Sequence, residues 1–189
     1  IEPIEVSTAP CQGVITAGDE LAREGAGLDA LPVPISTPGF DSAPYLTAGL
    51  FVTKDPESSI QNMGVYRGGL KAPNRMAVRM SAREGGAGGY LHWKKYKARG
   101  KKMPTAVIVG APPVVAYTGP QKVRRDVDEL GVAGALAGTS INIVKCKTVD
   151  LEVPANAEMV LEGYVDSTDI RNEGPFGDHT GFYTPEAVS

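Results

Sequence analysis

The sequence predicts a mainly β domain of the α+β class, a closed or split β-barrel with a few helices on its flank. Gly (23) and Pro (15) are spread as punctuation between short apolar runs, the pattern of a strand-rich domain with many turns. The candidate helices do not alternate strictly with the strands, which argues against a doubly wound sheet. At 189 residues the chain is long enough for one sizeable core and rarely for two. The expected organisation is an irregular segment over 1–45 leading into one barrel domain over 46–189.

Residues 1–45 are Pro-rich, and Asp19 is placed to cap a short helical stretch ending before Gly25. Strands are predicted over 46–53, after which 54–57 turns the chain, over 60–68 and over 75–80. Asn62, Gly64 and Tyr66 share one face of the second, and Met76, Val78 and Met80 one face of the third. These three strands form an antiparallel meander. The glycine run 85–89 opens a helix over 90–98, either as a close approach to a ligand or as a flexible loop. The basic cluster Lys94, Lys95, Lys97, Arg99, Lys101 and Lys102 is that helix's solvated face and exit. A buried strand follows at 105–109. Residues 126–137 read as a helix ending at Gly138, with Leu130, Ala133 and Leu136 at helical spacing. Further strands are expected over 141–151 and 159–165, and one more ending at Phe182-Tyr183.

A net charge of −3 gives no electrostatic case for a nucleic-acid partner. No apolar run approaches the roughly 20 residues needed to span a bilayer, and no signal peptide is visible, so the expected location is the cytoplasm, without a membrane partner. Cys11 and Cys146 are expected as free buried thiols. The chain begins at Ile1 without Met and stops just after Thr184-Pro185, which predicts a domain of a longer protein.

The segment Glu173-Gly-Pro-Phe-Gly-Asp178 carries the strongest chemical signal. Gly reaches backbone angles closed to other residues and Pro fixes one, so this is a shaped turn holding two carboxylates in set directions. Two acids in one constrained loop suit proton transfer, because a like charge or poor solvation raises the pKa of one of them. The alternative is an exposed acidic turn.

Six blocks resemble the UbiD family in the same order: Thr53-Lys-Asp-Pro-Glu57, Asn62-Met-Gly-Val-Tyr-Arg67, Asp128-Glu-Leu-Gly-Val-Ala-Gly134, Val153-Pro-Ala-Asn-Ala-Glu158, Leu161-Glu-Gly163 and Glu173-Gly-Pro-Phe-Gly-Asp-His-Thr-Gly181. The resemblance runs from about Leu31 to Tyr183. It implies a carboxy-lyase: a reversible (de)carboxylase using prenylated FMN, made by a flavin prenyltransferase, on an aromatic or α,β-unsaturated carboxylic acid. It implies a split β-barrel like that of flavin reductases, and a covalent adduct between substrate and cofactor. The family's enzymes are more than twice this long, and this sequence is expected to lack a later domain that closes the active site and mediates assembly. A homo-oligomer is expected for the whole protein. The alternatives are an isolated flavin- and metal-binding fragment without turnover, or a flavin-reductase-like FMN oxidoreductase.

The same resemblance implies residue roles. Asn62, His92 and Glu129 are the expected metal ligands, and Arg67, Glu173 and Asp178 the expected catalytic residues. Asn62, Met63, Gly64, Val65, Tyr66 and Arg67, with Leu91, His92 and Glu129, form the expected cofactor-binding set. An amide oxygen, an imidazole and a carboxylate suit Mn²⁺ or Mg²⁺, with a flavin phosphate and water completing the shell. Taken alone, a histidine such as His92, on a helix beside Trp93, is more often a packed or surface residue, and Arg67 reads equally as a surface strand residue. Asn62 and Arg67 are five positions apart and would face opposite ways on a regular strand, so a bend or bulge between them is expected. The loop 116–121 is expected either to hold a monovalent cation, potassium, through backbone oxygens or to be a plain loop. Glu158 and Glu162 are expected to be structural. Substrate identity, physiological direction and oligomeric state are not legible.

Overall fold

A computed structural model describes residues 1–80 and 86–188. In chain order its strands and α-helices are β1 (Ile4–Glu5), β2 (Tyr45–Leu46), β3 (Leu50–Lys54), β4 (Gln61–Val65), β5 (Arg67–Ala72), β6 (Arg75–Arg79), α1 (Gly88–Ala98), β7 (Met103–Val109), α2 (Pro113–Thr118), α3 (Glu129–Ala137), β8 (Asn142–Lys145), β9 (Glu152–Pro154), β10 (Met159–Val165), β11 (Asn172–Glu173), β12 (Phe176–Gly177), β13 (Tyr183–Thr184) and β14 (Ala187–Val188). Three 3₁₀ turns, Pro10–Gln12, Gly18–Ala22 and Leu28–Ala30, lie in the N-terminal segment. The chain is mainly β with a few helices. It divides into two compact units, each built from three stretches of sequence.

The first unit takes in Ile1–Val14, Gly49–Val65 and the described part of Ser81–Thr168. Its main sheet has the order β10-β7-β3-β4, all antiparallel. Residues 50–53 of β3 are buried in succession, because a central strand is covered on both faces and needs no polar side. β10 lies along the whole of β7, from Met159 opposite Val109 to Val165 opposite Met103. A second sheet, β1-β8-β9, pairs β1 parallel to β8. Leu50, Val52, Ala106, Ile108, Leu130 and Ile143 belong to one apolar cluster. Asp128 caps α3 by accepting from Leu130 N at 2.7 Å, and Gly138 ends it at φ +70°, a left-handed angle that a side chain resists.

The second unit takes in Ile15–Ala48, Tyr66–Met80 and the described part of Asp169–Ser189. It contains the antiparallel sheet β2-β5-β6 and the two-stranded pairs β11-β14 and β12-β13. Tyr45, Phe176 and Glu173 are buried here, and the rings of Tyr45 and Phe176 pack tilted with centroids 4.7 Å apart.

Several expectations are corrected. The predicted meander does not form. Its first strand breaks into β2 and β3 at 47–49, and its second breaks at Tyr66 into β4 and β5. β4 pairs with β3, whereas β5 pairs with β2 and β6. The strand is interrupted at Tyr66, between Asn62 and Arg67. Among the described residues no sheet closes on itself, so a closed barrel is not what forms. Asp19 lies inside a 3₁₀ turn whose N-cap is Ala17, without a side-chain cap. Residues 116–118 end helix α2, where a loop was expected: Thr118 Oγ1 donates to Val114 O at 2.8 Å and Gly119 N to Val115 O at 3.0 Å. The run 141–151 holds only β8 before it turns. Of the glycine run 85–89, Gly85 lies outside the described residues and Gly88 and Gly89 open α1.

Candidate functional site

In the second unit the chain brings Arg67 to Glu173 across 106 positions of sequence. Arg67 Nε donates to Glu173 Oε1 at 2.8 Å and Nη2 to Oε2 at 2.6 Å, a bidentate fork onto a fully buried carboxylate. The Arg67 guanidinium also lies over the Phe176 ring, 4.5 Å from its centroid, so its face is covered as well as its edge.

The turn bearing Glu173 is held from several directions. Gly174 N donates to the Tyr45 hydroxyl at 3.2 Å, and Gly177 N to Asp41 Oδ1 at 2.8 Å. Ser42 N donates to Pro175 O at 3.0 Å. Gly174 has φ +90°, and a Cβ there would sit 2.9 Å from Pro185 O, so this position requires glycine. The Gly174–Pro175 peptide bond is cis. Burial raises the Tyr45 hydroxyl above its ordinary pKa, with the Glu173 charge adding to the rise while the Ser42 and Gly174 contacts oppose it. The hydroxyl is therefore neutral at physiological pH.

Asp178 is placed differently. Its Oδ1 lies 2.6 Å from Nδ1 of the exposed His179, and Thr180 N donates to the same oxygen at 3.4 Å. Among the described residues no hydrogen bond or ion pair joins Asp178 to Glu173. Arg79, which sequence reasoning passed over, lies directly opposite Arg67 in the β5-β6 ladder, with Nη1 3.7 Å from Glu173 Oε2. Tyr45 and Asp41 were also missed. A charged residue at a strand end and a tyrosine before a turn carry no spacing signal.

In the first unit the three expected metal ligands gather about β3 and β4. Thr53 stands opposite Asn62 in the ladder, and its Oγ1 is 2.9 Å from His92 Nδ1. Glu129 Oε2 accepts from Met63 N, next along the chain from Asn62, at 3.1 Å. Asn62 Oδ1 is packed so closely against the start of α1 that a Cβ on Gly88 would lie 1.8 Å from it. Met63 is buried, Tyr66 nearly so, Gly64 and Leu91 half-buried, and Val65 exposed.

Burial, opposed by the Asp55 charge, lowers the His92 pKa and keeps the imidazole neutral, the form a metal needs. Glu129 is 4% exposed, and burial pushes its pKa to about 7, against hydrogen bonds from its own N–H and from Met63 N. An acid in that condition fits a site where a cation would restore its charge. His92 fits less simply. Its Nδ1 is committed to Thr53, and its Nε2 lies 4.0 Å from Asp55 Oδ2, itself bound to Lys95 Nζ at 2.6 Å. Burial pushes the Asp55 pKa up, but the Lys95 ammonium and Glu57 N outweigh it and hold the carboxyl below its ordinary value. Among the described residues no three His, Cys, Asp or Glu form a metal cluster. Any site here therefore depends on the Asn62 amide.

Glu162 is structural: its carboxylate accepts from Lys147 N, Thr148 N and Thr148 Oγ1. Asp55 and Lys54 pin the turn over 54–57 to Lys95 and Asp150.

The family model described as UbiD, 3-octaprenyl-4-hydroxybenzoate carboxy-lyase Rift-related domain, matches residues 3–189. The chain belongs to the UbiD family. Similar solved structures agree. The UbiD-class enzyme HmfF from Pelotomaculum thermopropionicum, in complex with FMN, is 30% identical with a TM-score of 0.85, and the match covers 100% of this chain and 40% of that one. An evolved dimeric form of that enzyme, in complex with prFMN (prenylated FMN), gives 30% and 0.85, covering 100% and 42%. Vanillic acid decarboxylase from Sedimentibacter hydroxybenzoicus, in closed form, gives 29% and 0.88, covering 99% and 39%. The chain thus spans about two fifths of the length of these UbiD-class relatives. Among the described residues no helix is long and apolar enough to cross a membrane.

Proposed function

We propose that this chain is the cofactor-binding, catalytic-residue-bearing part of a UbiD-class (de)carboxylase acting on an aromatic or α,β-unsaturated carboxylic acid. The observation that carries the reading is the bidentate Arg67–Glu173 pair at a fully buried carboxylate, inside a chain the family model matches almost end to end. The FMN and prFMN held by the HmfF structures support a flavin here. In this reading the fold is the split barrel of flavin reductases, and a flavin prenyltransferase supplies the cofactor. The whole protein works in the cytoplasm as a homo-oligomer.

Asn62, His92 and Glu129 would hold Mn²⁺ or Mg²⁺ beside the flavin phosphate, and the ion would neutralise Glu129. The stretch 116–121 would hold potassium. Prenylated FMN, when bound, supplies the electron sink. The chain's own residues do the rest. The bond to the carboxylate carbon breaks, CO₂ leaves, and the electron pair stays with the substrate carbon. Glu173 gives that carbon its proton. Arg67, already aligned on both oxygens, takes up the carboxylate so formed without reorganising. Glu173 is a carboxylate in the structure, so Asp178, nearer solvent and beside His179, loads it with a proton drawn from water before this step and reloads it afterwards.

The test is solvent exchange at the substrate C–H in the complete enzyme containing this chain. Glu173→Gln is expected to abolish deuterium incorporation while flavin binding persists. Exchange at the unaltered rate in that variant refutes the proton-donor role.

A further inference from the structure

We propose that Arg79 is a substrate-binding residue, and that its Nη1 receives the carboxylate of the acid substrate. The inference rests on the (de)carboxylase reading and deepens it. It begins from charge balance. Arg67 and Arg79 stand directly opposite each other in the antiparallel β5-β6 ladder. Like charges in that position repel, and such a pairing persists when an anion lies against both. Glu173, fully buried, is that anion, with Arg67 Nη2 at 2.6 Å and Arg79 Nη1 at 3.7 Å from the same oxygen. Among the described residues, one carboxylate against two guanidiniums leaves a surplus positive charge.

The hydrogen bonds locate the surplus. Arg67 commits Nε and Nη2 to Glu173, and its Nη1 reaches Thr184 Oγ1 at 3.4 Å. Among the described residues Arg79 Nη1, which is buried, has no hydrogen-bond partner, although the side chain as a whole is about a third exposed. A buried guanidinium N–H left unbonded is unfavourable and calls for an explanation. At 3.7 Å it is drawn by Glu173's charge without donating to it. The missing partner is an acceptor carrying negative charge, and a carboxylic acid substrate brings one. The neighbouring fork of Arg67 is already filled by Glu173. The division of labour in this chain is Arg67 for the internal acid and Arg79 for the incoming one. Discrimination follows: a neutral amide of the same shape gains no charge-assisted bond and leaves the surplus unbalanced.

The test uses the full chain with benzoate and its neutral isostere benzamide as probes, read by NMR titration. The unaltered chain is expected to prefer benzoate. Arg79→Gln is expected to weaken benzoate about tenfold and leave benzamide unchanged. Arg79→Lys keeps the charge but loses the planar fork and is expected to fall between them. It also carries the test if Arg79→Gln does not fold. Three results overturn the proposal: no preference for benzoate in the unaltered chain, benzoate affinity unchanged in the variants, or equal weakening of both probes, the mark of a merely structural arginine. Flavin uptake by the same samples separates the two layers. A chain that binds flavin but whose benzoate affinity ignores Arg79 removes this inference alone. One that refuses flavin while keeping Arg79-dependent benzoate binding removes the functional reading.

Discussion

Among the described residues two glutamates are buried almost completely, one in each unit, and they are provided for in opposite ways. Glu173 has its counter-charge built in, with both oxygens taken by one guanidinium. Glu129 receives backbone N–H groups and sits beside another acid, Asp128, and burial pushes its pKa to about 7. Removing a carboxylate from water is tolerated when an opposite charge accompanies it and opposed when only dipoles do. The difference bears on the role proposed for each acid. Glu173 is complete within the chain and suits a proton-transfer role. Glu129 is incomplete, and a divalent ion would complete it.

The largest expected effect breaks the provision at Glu173. Arg67→Ala leaves that carboxylate buried and without its fork, which costs about 3–5 kcal/mol in urea unfolding. A loss under 1 kcal/mol would mean that water or Arg79 takes over.

Next is the pH dependence at Glu129. Below about 4.5, its ordinary value, the group is protonated in folded and unfolded chains alike and contributes nothing. Between there and about 7 the folded chain keeps a proton that the unfolded one has released, so stability falls as pH rises. Above 7 the loss is constant, on the order of 3 kcal/mol. Glu129→Gln is expected to abolish this slope in unfolding measured with chelator, and to abolish stabilisation by added Mn²⁺ at pH 8. A slope of equal size in the variant would locate the titration elsewhere.

Much of this was legible in the sequence, for reasons that particular residues show. β10 occupies 159–165 as read, because Glu158 and Asp166 bound an apolar run long enough to be one strand. α3 stops where Gly138 must. The acid turn showed itself through Gly174, Pro175 and Gly177. What stayed hidden was decided at long range. Nothing local at Tyr66 says that residues on either side of it will pair with different sheets, since the alternation runs through it. Helix α2 was missed because β-branched Val114 and Val115 are weak helix formers, while Pro113 at its first turn supports a helix only once the turn has formed. Arg79 and the Thr53–His92–Asp55 chain have no spacing signature, because their partners lie 37 to 94 positions away or across a ladder.

Two smaller effects sharpen the comparison. Tyr45→Phe removes the hydroxyl that accepts from Gly174 N in a buried place, and about 1–2 kcal/mol of stability is expected to go, seen as a lower urea midpoint. Asp128→Ala removes the cap of the helix bearing Glu129 and costs about 1 kcal/mol. Asp128→Asn keeps the cap but removes the negative charge that helps push Glu129 up. The NMR titration midpoint of Glu129 is therefore expected to fall in that variant, and an unmoved midpoint would leave burial alone as the cause.

The most direct measurement is native mass spectrometry of the chain produced together with a flavin prenyltransferase in Mn²⁺-supplemented medium. The account predicts a species carrying prenylated FMN and one divalent ion, with the ion missing in Glu129→Gln. A chain that carries only unmodified FMN, or that remains without flavin when the prenylated cofactor is abundant, would contradict it.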